Sequence, residues 1–529
     1  MRIYQLLWGT LIVTCHQAVA FAFAFSPMSL SSSSNLGRSS SQLSAVSFPR
    51  KPKISTIRNK SKRAAIDKSG SPLIRLGALD VPIEYKSEPE PASGMTKTKH
   101  TQTQTALRIM NAAFLVAGTT IGGGFLALPT VVAPSGFYPS AVTLLGVWGY
   151  FLAQSFILVE CIQRARARTT TAGTGTGDGD PGVAATAQSV FGMKGEVAIG
   201  ILLTVLIQAT LVSQISRAGM LFSSSYYRVG CIVSSFSVAA IVFGPKSGIN
   251  FAAKANSVLT TLFILSCVSV FGCGVGIADW TRLGVSNNWS SIPSAVPTFL
   301  QLLVYGEIVP TVCQILKYNT KHIHTAIILG SCMTLCLQIG WSALGMALVS
   351  TVTSAASTSN LDPVNVLLAS SGPVRVPLFC LAITAILTTI LGSYLALLSA
   401  VNDFVQQRKE GGFGLESLGQ RIKVASLITV PASLIACTSP SVFLKAIDFA
   451  GSYPVLLLWG VVPPVMALIQ RFRERRDSVE GVEGDGDEAI SNTSGPSAWL
   501  ALLASISLGM VVLNAGQDIS SLFRRFISH

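Results

Sequence analysis

Charge is scarce in this chain: only 12% of its 529 residues are Asp, Glu, Lys or Arg, while half are hydrophobic. With a mean hydropathy of +0.55, that balance excludes an ordinary soluble domain and points to the bilayer. The formal charge of +14 does not mark a nucleic-acid partner. Residues 1–79 hold eleven Lys/Arg against the single acid Asp67, which leaves only +4 on the remaining 450 residues. Catalytic signatures are missing too. There is no HExxH, no GxSxG and no pair of acids inside an apolar run, so an intramembrane enzyme has no support. A GxxxxGK[ST] loop is absent, which argues against ATP-driven pumping. Gly177–Gly182 matches GxGxxG, but it follows an apolar run rather than a strand and contains Pro181, so it is no dinucleotide site. No CxxC occurs among the ten cysteines, which read as small hydrophobes. Neither a metal nor a cofactor is expected, apart from a coupling ion.

What is present begins with a presequence. Residues 1–20 carry one basic residue, Arg2, an apolar run from Leu6 to Cys15, and an Ala18-Val-Ala20 site. They read as a signal peptide. Residues 21–95 open on Phe21 and form a Ser/Arg-rich, disordered transit segment, with fifteen serines, ten Lys/Arg and one acid by Leu79. A signal peptide, a phenylalanine and a basic serine-rich stretch resemble the bipartite presequences of algae whose plastids have extra membranes. The expected location is therefore a plastid membrane; the alternative is a secreted or endomembrane protein with a disordered arm.

The apolar domain, residues 104–520, holds eleven apolar runs near the roughly 20 residues that cross a bilayer. They lie near 107–131, 138–163, 195–216, 229–244, 256–278, 293–316, 325–349, 376–404, 422–438, 443–470 and 497–517, the fourth and ninth being short. With the N-terminus of this domain on the inner (stromal) side, inner loops carry sixteen Lys/Arg and outer loops and rims five. That bias agrees with the positive-inside rule.

The first run is the one that organises the rest. Val116-Ala-Gly-Thr-Thr-Ile-Gly-Gly-Gly-Phe-Leu-Ala-Leu-Pro129 sets four glycines and a proline in a stretch apolar enough to span. A helix broken in hydrocarbon leaves backbone groups unpaired at several kcal/mol each, so breaks survive only against protein or a wet cavity. Secondary transporters use such half-helix ends to hold substrate and ion. The competing reading is close helix packing through small residues. A repeat of five spans predicts a second break at the sixth, where Gly306, Glu307 and Pro310 lie in mid-span. The expected fold is an all-α integral membrane protein of about eleven helices. It is a five-plus-five inverted repeat (107–278 and 293–470) with broken helices one and six and an extra helix at 497–517.

Ala117–Pro129 followed by Gly136-Phe137 resembles the first-helix signature of the tryptophan/tyrosine permease family, aromatic amino-acid permeases of the amino acid–polyamine–organocation superfamily. Tyr305-Gly-Glu-Ile-Val-Pro310 with Lys317 resembles its sixth-helix region, and Ile215-Ser216-Arg-Ala-Gly219 its third. Leu391-Gly392 through Asp403-Phe404 is similar to its eighth helix, and Asn256 matches an asparagine opening the fifth. The likeness covers roughly residues 107–470 and implies proton-coupled import of an aromatic amino acid by alternating access. The chain departs from some members in Gly306, where they have histidine, and in Ser399, where they have an acid.

An amino-acid substrate offers a carboxylate, an ammonium and a side chain. The half-helix start at Gly122, Gly123 and Gly124, with Thr119 and Thr120 beside it, offers N–H donors to the carboxylate. Carbonyls near Gly118 and Tyr305, beside Gly306, suit the ammonium. Tyr305, Phe125, Gln208, Ser393 and Tyr394 are the candidates for the side chain, although Phe125 and Gln208 also suit core packing. Glu307 is the single acid at the middle of a span, so it is the candidate proton-coupling group; a carboxylate capping freed backbone is the alternative. Glu160 is the second coupling candidate, placed near the inner face. The expected partners are a small amino acid and the lipid bilayer, with no nucleic acid; the sequence leaves the oligomeric state open. Within transporters the alternative is a sodium-coupled or uniport carrier of another small amino acid. Outside them it is a non-transporting amino acid sensor, for which neither tail supplies a signalling domain.

Overall fold

The computed structural model describes residues 75–76, 79–80, 94–171, 182–222, 225–243, 248–284, 287–353, 364, 367–368, 372–406, 418–479 and 495–527. The signal peptide and almost all of the transit segment lie outside the described residues. What is described there is a pair of two-residue strands, Arg75–Leu76 against Leu79–Asp80.

The rest is helical. Helix α1 (Gly94–Thr120) ends at the glycines and turns by 52° into a 3-10 turn (Gly123–Ala127) and α2 (Leu128–Val132). Several local forces break it together. Gly122 is extended at φ −130°, ψ −170°. The hydroxyls of Thr119 and Thr120 bond back to carbonyls of the preceding turn, a habit that bends helices. Pro129 sits at the start of α2, where its missing N–H costs nothing. There follow α3 (Phe137–Thr171), α4 (Val183–Phe222), α5 (Tyr227–Phe243) and α6 (Gly248–Gly274). Helix α4 begins before the span expected at 195–216. Gly192 leaves helical geometry at φ +71°, and Val183–Phe191 precedes the span proper.

The second half opens with α7 (Ile292–Leu303), breaks at Val304-Tyr305, and resumes through a 3-10 turn (Gly306–Ile308) into α8 (Val309–Ile315). Then come α9 (Thr320–Thr353), α10 (Arg375–Gln406), α11 (Leu418–Ala436) and α12 (Val442–Ala450). The tenth span is continuous from Val442 to Arg476 and passes through a π-helical segment (Gly451–Val461) into α13 (Val462–Val479). Helix α14 (Ser497–Ile527) closes the chain. Among the described residues, eight helices are long and apolar enough to span and the bent pair makes a ninth. Two shorter apolar helices, Tyr227–Phe243 and Ile422–Ala436, fall where the sequence placed its short spans.

Helix pairing follows the repeat. Helix α1 packs on α9, while its counterpart α7–α8 packs on α3. Likewise α4 packs on α12 and α10 on α6, the same pair exchanged between halves. That exchange of partners is the pattern an inverted repeat produces. Lipid gives helices no hydrophobic reason to associate, so contacts depend on small residues that admit close approach. Gly451 is the extreme: a Cβ there would lie 1.7 Å from the Pro297 carbonyl oxygen. Large apolar side chains such as Leu265, Val268, Leu434 and Leu513 are exposed and form the lipid-facing surface.

Candidate functional site

The break in the first span is where three other elements converge on three consecutive glycines. A Cβ on Gly122 would lie 2.9 Å from Thr389 Oγ1 of α10; on Gly123, 1.8 Å from Gln214 Oε1 of α4; on Gly124, 2.6 Å from Leu302 of α7. Break and packing, set against each other as readings of this motif, therefore coexist. The Gly123 N–H donates to Thr389 Oγ1 at 2.8 Å, and the Thr389 hydroxyl donates in turn to the Ala385 carbonyl at 2.7 Å. In a continuous helix that N–H would have bonded the Thr119 carbonyl, which the break sets free. The last helical donor before the break, Ile121 N–H, bonds the Ala117 carbonyl at 3.2 Å. In the second break, the Leu302 carbonyl is capped instead by Gln338 Nε2 of α9 at 2.8 Å.

One side of this junction is closed and the other open. Beyond the glycines, Phe125 is buried and stacks on Trp341 at 5.3 Å between centroids. Phe125 is therefore core packing. Before them, Gly118 lies one turn back on the same face and has nothing within 4 Å, and Gly392, three residues past Thr389, has nothing either. Both observations describe open space, on α1 before the glycine turn and on α10 after Thr389. Gly118, Thr119 and Glu307 are exposed, whereas Ile308 and Val309 are buried. Glu307 has no ion pair among the described residues. Thr120 is buried, with its hydroxyl on the Val116 carbonyl at 2.7 Å. Ser393 is buried one turn beyond Thr389.

Other candidates are placed elsewhere. Tyr305 and Gly306 face α3 and the π-helical segment. They line a cavity of about 10 Å³ with Phe151, Gln154, Ser155, Leu158, Trp459 and Pro463, room for about one water rather than an amino acid. Gly306 is glycine because a Cβ would fall 2.3 Å from the Trp459 ring. Gln208 donates to the Ile428 carbonyl at 3.3 Å, and the Tyr394 hydroxyl bonds the Ser235 carbonyl and Thr429 at 3.2 and 2.9 Å. Both tie helices together away from the glycine turn, because their polar ends reach α5 and α11.

Glu160 is buried within the protein, 2% exposed. Arg471 grips it through Nε and Nη2 at 2.9 and 2.7 Å, and Arg164 Nη1 pairs with it at 2.5 Å. Arg164 Nε also meets Glu474 at 3.2 Å, so the cluster fastens α13 to α3. Two guanidiniums on one carboxylate make Glu160 a structural clamp.

Thr389, Gln214 and Gln338 were not singled out in the sequence. The available signal was a polar side chain inside an apolar span, which lipid tolerates only with a partner. That signal does not say which partner.

Comparison with known proteins covers most of this helical region. The model of the tryptophan/tyrosine permease family matches residues 105–487. The chain is 24% identical over 367 residues to tyrosine-specific transport system 1 of Haemophilus influenzae, covering 68% of this chain and 87% of that protein. It is 22% identical over 379 residues to the low affinity tryptophan permease of Escherichia coli O157:H7, covering 67% and 85%. Among solved structures, MhsT in complex with L-phenylalanine aligns at a TM-score of 0.46 and 12% identity, covering 77% of this chain and 97% of that one.

Proposed function

The chain belongs to the tryptophan/tyrosine permease family, and on that premise we propose that it carries tyrosine or tryptophan across a plastid membrane by alternating access, coupled to protons. It is an integral membrane protein of a transporter family, not an enzyme. The observation that carries the reading is the broken first helix. Its glycine turn meets α4, α7 and α10 at one point, with buried Phe125 beyond it and open space at Gly118 before it. A site sealed on one side and open on the other is what alternating access requires of one of its states. The substrate carboxylate takes the N–H groups of Gly122 and Gly124, the Gly123 N–H being held by Thr389, and the ammonium the carbonyls freed near Gly118 and Thr119. Glu307, exposed beside α1, is the proton-coupling acid. Glu160, clamped by two arginines, is left out of that role.

Sodium coupling is the second reading. It is favoured by the neutral oxygen that α10 sets against the break, the hydroxyl of Thr389. The plastid location rests on the Ala18-Val-Ala20/Phe21 junction and the basic, acid-poor stretch after it, with the transporter domain's N-terminus stromal. The test is uptake of a panel of labelled amino acids into proteoliposomes under an imposed pH or sodium gradient. Accumulation of tyrosine or tryptophan driven by pH supports the reading. Accumulation driven by sodium alone replaces the coupling ion, and uptake of neither aromatic refutes the substrate.

A further inference from the structure

Gln214, Gln301 and Gln338 lie around the two breaks, and each is used in the same way, as is Gln154 beside Tyr305, whose Nε2 donates to the Gly460 carbonyl at 3.1 Å and whose Oε1 is unpartnered. Gln214 Nε2 donates to Ser213 Oγ at 3.0 Å, Gln301 Nε2 to Thr210 Oγ1 at 3.3 Å, and Gln338 Nε2 to the Leu302 carbonyl at 2.8 Å. In every case the amide orientation is settled by the partner. Ser213 Oγ has committed its proton to the Thr210 carbonyl and Thr210 Oγ1 to the Leu206 carbonyl, so both hydroxyls can only accept here. The Leu302 carbonyl has no proton at all. The NH2 of each glutamine must therefore face its partner, and the carbonyl Oε1 faces the other way. All three Oε1 atoms are buried and have no hydrogen-bond partner.

The three also form one connected set. Gln301 holds Thr210, which lies one turn before Gln214 on α4. Gln214 Oε1 lies directly over Gly123, and Gly124 abuts Leu302, whose carbonyl Gln338 caps. Gln214 is the innermost, 1% exposed, on the glycine turn itself. A native protein rarely leaves a buried acceptor unpaired, and each instance calls for an explanation such as a missing ligand. Acceptors gathered at a helix break suit a group that brings several N–H donors and a positive charge.

We propose that Gln214 is a substrate-recognition residue whose Oε1 accepts a hydrogen bond from the substrate's α-ammonium group, with Gln301 and Gln338 supporting the acceptor character of the pocket. This rests on the reading of the protein as an amino-acid carrier and adds the group that tells an amino acid from a plain aromatic acid. The empty protein carries an unmet acceptor. A substrate with an ammonium meets it, and a deaminated analogue leaves it unmet, so the site discriminates against the analogue. Thr389, whose hydroxyl already occupies the Gly123 N–H, plays no part in this selection.

The test uses the full-length protein in proteoliposomes and two probes, L-tyrosine and the hydroxyphenylpropionate that differs only in lacking the ammonium. Competition against labelled tyrosine gives an affinity for each. The wild type is expected to prefer tyrosine by about 10- to 100-fold, the worth of a hydrogen bond to a charged group. Gln214→Met keeps the bulk and removes the acceptor; it should lower the tyrosine affinity about tenfold or more and leave the analogue's affinity unchanged. Gln214→Glu returns an acceptor and should restore the preference. A Gln214→Met protein that keeps the full preference overturns the proposal, and so does one that loses both ligands in equal proportion, since that marks a structural role. A wild type that binds no tyrosine refutes the substrate reading itself, a result distinct from either.

Discussion

Gly306 lies against the face of the Trp459 indole, and that contact makes a prediction whose size can be worked out. A Cβ at 306 would fall 2.3, 2.6 and 2.8 Å from Cε3, Cδ2 and Cζ3 of the ring, where carbon atoms normally rest about 3.5–4.0 Å apart. Trp459 is 2% exposed, and the adjoining cavity of about 10 Å³ is too small to receive a displaced indole. Gly306→Ala should therefore cost about 1–3 kcal/mol, the usual penalty for overpacking a filled core. Trp459→Leu alone should cost about 3 kcal/mol by removing buried ring surface. The two costs should not add. Once the ring is gone the methyl has room, so the double variant should be about as stable as Trp459→Leu by itself, a coupling of about 1–3 kcal/mol. Unfolding free energies of the four proteins in mixed detergent micelles measure it directly. Additivity within about 0.5 kcal/mol would show that the two groups do not meet, and the placement of the π-helical segment against the second break would be wrong.

Four further outcomes are expected. Glu307→Gln should still exchange labelled for unlabelled substrate but fail to concentrate it under a pH gradient; wild-type accumulation with unchanged pH dependence rules Glu307 out as the coupling acid. Arg471→Met takes one of two guanidiniums from Glu160 and should destabilise the protein by about 3–5 kcal/mol, as broken buried ion pairs do; a loss under 1 kcal/mol in the same unfolding assay contradicts the clamp. Thr389→Val leaves the Gly123 N–H without its acceptor and should cost about 1–3 kcal/mol that Thr389→Ser recovers, so equal stability of the two variants defeats the assignment. A fluorescent protein fused after residue 95 should reach the plastid, and Phe21→Ala should hold it in the outer compartments; import of both alike would remove Phe21 from the sorting signal.

Much of the architecture was already legible in the order of residues. Hydropathy placed the helices long enough to span, because a bilayer of fixed thickness imposes a length on a crossing helix, and the two short apolar helices fall where the short runs lie. The Gly122–Gly124 run and Gly306 with Pro310 located both breaks, because glycine and proline act on the backbone within a turn of themselves. The π-helical segment at Gly451–Val461 was not legible. It arises where the tenth span passes the α7 backbone at Pro297 and meets α14, and no local residue pattern records that meeting. The roles of side chains around the breaks were decided by tertiary structure alone. Tyr305 and Gly306 stand next to Glu307 in the chain, yet a bend of a few residues turns them toward Trp459 and leaves Glu307 exposed beside α1. Gln214 and Thr389 are 175 positions apart in sequence and meet at Gly123. Sequence determines where a helix must stop, since that is settled by neighbouring residues. Which distant hydroxyl or carboxamide meets the freed backbone depends on how eleven helices pack, and only the folded protein holds that information.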